Sequence, residues 1–370
     1  MRVTRFTLAI LVLLPFALNP RPARAAESSS GWSAEWEKTV NAAEQEGEVV
    51  IYKIGEDAEW HALQKRFPKI KVTLVQGRAS QLLQRIMAER RAGKFLADVI
   101  RLGGGTSTTL FKAGALDPIA PAFLLPEVKE TSGWFEGKHH YNDSDNRYVF
   151  IYAAFPLRFL GYNKSQVDPR SIASLTDLLD PKWKGKMTIK DPRDPGGGSP
   201  LLFLYFNPRL GPDYIRKLIK VGGLTLLRDE RQQIDWLANG KYPLAITAKA
   251  EDVEGARQQG LPVDMVDAHR FKNDGVGLEA GGTMISLANR APHPNGARVV
   301  LNWFLSREGQ TALQKGGPLG HGPNSLREDI AKDDIPPGLR RQPGTQYLRL
   351  WGPEVWDRSA IVQLIHDMVK

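Results

Sequence analysis

The 370-residue chain contains no cysteine. That excludes disulfides, thiolate metal sites and cysteine nucleophiles, so the fold must rest on an apolar core, for which the length suffices. The N-terminal apolar run is too short to span a bilayer as a permanent helix, and no later stretch reaches the length of one. No block of five or more like charges makes a basic or acidic tail. Familiar chemical spacings are missing as well: no Gly-x-Ser-x-Gly elbow, no His-Glu-x-x-His and no EF-hand loop. His139 and His140 are adjacent and point apart in a strand, whereas a helical zinc pair needs i, i+4 spacing. The carboxylates are spread without a recognisable pairing. These absences predict no metal, no cofactor and no catalytic residues. An exported enzyme acting on a small anionic substrate stays open as the weaker alternative, because catalytic geometry assembled in space can hide from sequence.

What is present begins with a basic start, Arg2 and Arg5, and an apolar run from Phe6 to Leu18. Helix breakers and Ala23-Arg24-Ala25 follow, the order of parts of a secretory signal. Residues 1–25 are expected to be a signal peptide cut near Ala25/Ala26, with a mature chain exported to the periplasm. Its removal takes four arginines and no acid, so the formal charge of +9 falls to +5. A surplus that small is no nucleic-acid footprint.

Strand and helix signals alternate through residue 102. "EWEKTVNAAEQEGEVVIY" reads as a helix from Glu35 to Glu46 and a strand from Val49 to Tyr52. Trp60, Leu63 and Phe67 share one helical face, and "IKVTLV" from Ile70 is a strand. In "SQLLQRIMAERRAGK", Leu82, Leu83, Ile86 and Met87 form an apolar stripe, with Ser80 as a cap and Gly93 as a stop. "ADVIRL" is a short buried strand. The alternation predicts an α/β domain with a largely parallel sheet. Two β-prone stretches, 148–163 and 275–289, bracket a segment with helices and strands of its own. They read as crossing strands, giving lobe one from 30–150 plus 283–370, lobe two from 160–272, and hinge strands at 150–160 and 272–283. Near the end, "HPNGARVVLNWFLSREGQTALQK" is an amphipathic helix pair, with Asn295 as cap, Val299, Val300, Trp303 and Phe304 buried, and Gly309 as the break. Two α/β lobes imply a cleft, with glycine-rich turns at strand carboxyl ends facing it.

The turn at Gly103-Gly104-Gly105 fits neither a Walker loop, having no lysine, nor a Gly-x-Gly-x-x-Gly frame. It reads either as a nest of N–H groups with the Thr106 hydroxyl, suited to an anionic or polar group, or as a plain tight turn. "DPRDPGGGSP", with Gly197 and Ser199, is a second such loop, or else a surface loop. Among charged residues near turns (Arg78, Arg101, Arg228, Arg231 and Lys249), Arg78 and Lys249 stand out on small-residue loops after strands. The candidate ligand-binding set is Gly55, Arg78, Ser80, Gly104, Thr106, Gly197, Ser199, Arg228, Lys249 and Glu279.

Taken together, "AAEQEGEVVIY", "RASQLLQRIMAERRAGKFLADVI", "LGYNKSQVDP", "DLLDPKWKGKMTIKDP", "DWLANGKYPLAI" and "APHPNGARVVLNWFLSREGQ" resemble the extracellular solute-binding proteins of ABC importers. The resemblance is to family 1, the ferric-iron, polyamine or thiamine-type branch. It implies the type II periplasmic binding protein fold: two α/β lobes joined by two crossing strands. It implies a monomeric carrier without catalysis, which hands a small solute to an ABC permease in the inner membrane. Ferric-binding members carry adjacent tyrosines on the loop after the strand that reads "PLAIT" here. The corresponding positions are Thr247, Ala248 and Lys249, and no Tyr-Tyr pair occurs in the chain. Ferric iron wants hard anionic oxygens, so the departure argues against iron, which remains the alternative solute. Lys249 and Arg78 point instead to an anion, such as a carboxylate, phosphonate or sulfonate.

Overall fold

The computed structural model describes residues 24–55, 58–191, 198–316, 322–352, 355 and 359–368. The signal-peptide expectation lies almost wholly outside them. The first helix, α1 (Arg24–Glu46), begins well before Glu35, and leads into β1 (Glu48–Lys53), α2 (Ala58–Arg66), β2 (Lys71–Gln76), α3 (Ala79–Arg91), β3 (Val99–Arg101), α4 (Gly104–Lys112) and β4 (Leu116–Asp117). Trp60, Leu63 and Phe67 are buried as their helical spacing requires. After α5 (Pro126–Lys129) and β5 (His140–Tyr141), the aromatic stretch 148–163 breaks into three short strands: β6 (Phe150–Ile151), β7 (Phe155–Pro156) and β8 (Leu160–Asn163). Each of the three joins a different sheet.

The first sheet runs β2-β1-β3-β14-β6-β5, where β14 is Met284–Ala288, and β4 also pairs with β14. Only β2, β1 and β3 are mutually parallel; β14 joins β3, β4 and β6 antiparallel. The sheet is therefore mixed, not largely parallel. The second sheet is built from β9 (Met187–Lys190), β10 (Thr225–Leu227), β11 (Leu244–Ile246) and β12 (Val263–Met265) around β8, in the order β10-β9-β11-β8-β12. Helices α6 (Gly198–Phe206), α7 (Gly211–Lys220), α8 (Glu230–Ala238) and α9 (Ala250–Gln258) cover it. The β9, β10 and β11 strands are parallel, and β8 and β12 run against them.

Between the two lies a small sheet, β15-β13-β7, of β13 (Val276–Glu279) and β15 (Tyr347–Leu350) with β7. Leu350 and Trp351 are adjacent, yet Leu350 belongs to the second core and Trp351 to the first. The last helix, α12 (Ser359–Met368), puts Ile361, Leu364 and Ile365 into the second core. The tail was expected with the first lobe. Its amphipathic face instead finds α6 and α7.

The helix pair near the end is α10 (Pro294–Leu305) and α11 (Arg307–Lys315). Asn295 is not its cap. His293 holds that position, and the Glu46 carboxylate takes the backbone N–H groups of Asn295 and Gly296 at 3.1 and 2.8 Å, placing negative charge at the positive end of the helix. The break falls at Ser306, whose hydroxyl accepts from Gly309 N. Gly309 lies inside α11, where a Cβ would stand 2.0 Å from the Trp303 carbonyl.

His139 and His140 sit among Phe123, Trp134, Phe150 and Trp351. Burial pushes both imidazoles down from 6.5 to about 4. Between those values the unfolded chain binds more protons than the folded one, so stability must fall as the pH drops through this window. The urea midpoint should decline from about pH 7 to about pH 4.5, and His139→Phe should flatten the slope; identical slopes in parent and variant would contradict the burial. Ile365→Ala should cost about 2–5 kcal/mol by opening a cavity under α12, read as a lower urea midpoint. An unchanged midpoint would mean that the tail does not dock there.

Candidate functional site

The parallel strands of both sheets end in short turns, and these turns carry the candidate residues. In the first lobe β1 ends at Ile54–Gly55 and β3 at Leu102–Gly104. Gly55 has φ +79°, a left-handed conformation that glycine adopts without strain. Its carbonyl accepts from the Lys53 ammonium and from Gln76 Nε2. Arg101 closes this floor. Its Nε donates to the Tyr152 hydroxyl at 2.6 Å, its Nη1 donates to the Ile54 carbonyl at 3.0 Å, and Glu59 pairs with it at 3.0 Å. Arg101, Glu59, Lys53 and Tyr152 are all buried, and burial pushes the Tyr152 phenol up. This charge is spent on holding the turn.

The triple glycine has a structural neighbour. A Cβ on Gly103 would stand 3.5 Å from the Gly281 carbonyl, and one on Gly282 would stand 3.0 Å from Ile54 Cδ1. Two glycine turns of the same chain therefore press together, and Gly104 is buried while Thr106 is half-buried at the start of α4. The adjoining Thr283 hydroxyl donates within this junction, to Ala153 or Ala280. Glu279 is half-buried at the end of β13 and paired with Phe155 in register.

Arg78 is exposed at the N-cap of α3, with its backbone N–H on Gln81 Oε1. Ser80 is no cap: it is an exposed residue inside the first turn. No ion-pair partner engages the Arg78 guanidinium among the described residues.

In the second lobe β9, β10 and β11 end at Asp191, Arg228 and Thr247. The Lys190 ammonium donates to the Arg228 carbonyl and lies 3.9 Å from Glu230, whose other carboxylate oxygen takes the Lys249 ammonium. Lys249, the N-cap of α9, is thus already charge-balanced, which sequence alone did not show. Thr247 has φ +65°, unusual for a β-branched residue and the sort of strain that gathers at functional turns. Its hydroxyl accepts from Lys190 N at 2.9 Å. Arg228 is exposed. Gly197 lies outside the described residues, and Ser199 falls at the start of α6.

One residue escaped the sequence reading. Arg158 stands two positions before β8, and Leu160 pairs with Ile246, the last residue of β11. That register carries Arg158 toward the Thr247–Lys249 turn. Its Nε is buried without a hydrogen-bond partner among the described residues, and burial pushes its guanidinium down, with Asp267, Glu254, Asp264 and Glu251 opposing the shift. The only signal in the sequence is one charge inside the apolar run "FPLRFLGYN".

Glu59→Ala would strand the buried Arg101 charge, at a cost of about 3–5 kcal/mol. Urea unfolding should show that loss, and a midpoint equal to the parent's would contradict the pairing.

No group of three or more His, Cys, Asp or Glu residues able to hold a metal occurs among the described residues. Comparison with known proteins agrees with this two-lobed frame. The model of the bacterial extracellular solute-binding protein family matches residues 43–311. Iron-bound HitA from Pseudomonas aeruginosa aligns over 87% of this chain and 99% of its own, with 19% identity and TM-score 0.59. Apo FutA2 from Synechocystis PCC6803 aligns over 87% and 98%, with 16% identity and TM-score 0.62. AfuA from Actinobacillus pleuropneumoniae, solved with fructose-6-phosphate, aligns over 87% and 98%, with 18% identity and TM-score 0.56. By sequence, iron uptake protein A1 of Synechocystis is 29% identical over 125 residues, spanning 33% of this chain and 30% of that protein. The fold is that of the type II periplasmic binding proteins, and the chain belongs to the bacterial extracellular solute-binding protein family.

Proposed function

We propose that the protein is the periplasmic carrier of an ABC importer and captures a small anionic organic solute between its lobes. The observation that carries this reading is Arg158, a guanidinium beside the turn at Thr247–Lys249 whose buried Nε lacks a hydrogen-bond partner among the described residues. A buried unpaired donor costs free energy that an anion would return. Arg78, without an ion pair among the described residues, supplies a second cation. Lys249 is neutralised by Glu230 and adds little attraction of its own. Gly55, Gly104, Thr106, Ser199, Arg228 and Glu279 stand on or beside the turns that would line the cleft. Delivery to a membrane permease follows from this carrier role.

Ferric iron is the competing solute, since two of the relatives are described by their iron. Thr247, Ala248 and Lys249 offer no phenolate where the iron-binding branch carries its tyrosines, and ferric iron wants hard anionic oxygen ligands. Membership of a family of transport binding proteins supports a carrier over an enzyme.

A thermal-shift screen of organic acids, phosphonates, sulfonates, amino acids, polyamines, thiamine and ferric citrate would identify the solute by mass action. The best ligand should be an anion, recovered chemically unchanged. Arg158→Gln and Arg78→Ala should each weaken it about tenfold, a charge-assisted hydrogen bond being worth about 1.5–3 kcal/mol. Affinities within about twofold of the parent for both variants, or a best ligand that is cationic, would overturn the proposal.

A further inference from the structure

A cavity of about 260 Å³ lies among the helices of the first lobe, and none of its lining residues belongs to the turns described above. Trp32 and Trp36 of α1, Phe67 just behind α2, and Trp303 of α10 form its walls, with Glu37 and Glu308 at its edge. The Trp36 and Phe67 rings meet edge-on with centroids 6.2 Å apart. Glu308 is partly satisfied by Arg66 at 3.7 Å, and the Arg66 guanidinium lies over Phe67 at 5.3 Å. Glu37 is exposed and has no ion pair among the described residues. Trp303 is buried, and its indole N–H has no hydrogen-bond partner among them.

The indole walls and the rim carboxylate Glu37 favour the same kind of guest, while Arg66, which also lines the cavity, is held by Phe67 and Glu308. Indole faces carry negative quadrupole density and attract a desolvated cation. An unpaired carboxylate at the rim attracts it from solution. The volume is below the usual range for drug-sized ligands, so the guest is small. The stacking of Arg66 on Phe67 shows that this wall already accepts a delocalised cation.

We propose that this cavity is a second small-molecule site, separate from the interlobe cleft, which takes a small organic cation of the methylated-ammonium class. Its charge sits between the faces of Trp32 and Trp36 and is balanced by Glu37. The site is independent of the solute in the cleft, and either assignment can fail without the other.

Choline is the probe, titrated into the full chain and followed by tryptophan fluorescence and calorimetry. Saturable binding is expected, weakened about fivefold or more by Trp36→Leu and by Glu37→Gln, and unchanged by Arg158→Gln in the cleft. Glu37 is exposed, so its variant should fold like the parent, and circular dichroism checks the Trp36 variant. The neutral isostere of choline, with tert-butyl in place of trimethylammonium, should bind more weakly. The proposal is overturned by the absence of saturable binding at millimolar choline, by equal affinity in Glu37→Gln, by equal affinity of the isostere, or by loss of binding in Arg158→Gln.

Discussion

The whole arrangement depends on the seam where the chain passes between two cores. β7, β13 and β15 form a sheet of only three strands, and the neighbours Leu350 and Trp351 are buried in different cores. The connections Tyr152–Phe159 and Ala280–Thr283 lead the chain through this seam. Those same connections meet the Gly103 turn and the Arg101 cluster. The seam and the candidate turns therefore share contacts.

Charge within these turns is arranged in two ways. Arg101, Glu59 and Lys53 are buried and satisfied by the protein itself, which fixes the backbone at Ile54–Gly55. Lys190, Glu230 and Lys249 do the same for the second lobe, with the strained Thr247 held by the Lys190 amide. Arg158 and Arg78 differ, since among the described residues no hydrogen bond reaches the buried Nε of one and no ion pair engages the other. On that contrast rests the proposal that these two cations meet the solute.

Much of the first lobe was legible because its helices bury one stripe each, as with Trp60, Leu63 and Phe67, and because short apolar strands separate them. The stretch 148–163 was read as a single crossing strand. Apart from Arg158 and Asn163 its residues are apolar or aromatic, and composition cannot say in which of three sheets they are buried. The tail was placed with the wrong core for a similar reason: the stripe of Ile361, Leu364 and Ile365 marks a docking helix but not its partner. Asn295 looked like a cap, yet Glu46 supplies the anion from far away in sequence. At the site, Lys249 drew attention by position, while its pairing with Glu230 depends on tertiary placement. Arg158 bears no motif at all, and only burial without a partner distinguishes it.

The central claim, that the lobes close on a small solute, can be measured directly because the chain has no cysteine of its own. Thr109→Cys on α4 and Gln232→Cys on α8 are exposed positions on opposite lobes, and spin labels placed there report the interlobe distance by pulsed electron resonance. With saturating solute from the anion screen, the distance distribution should shorten and narrow. An unchanged distribution, with binding shown independently on the same sample, would contradict the account.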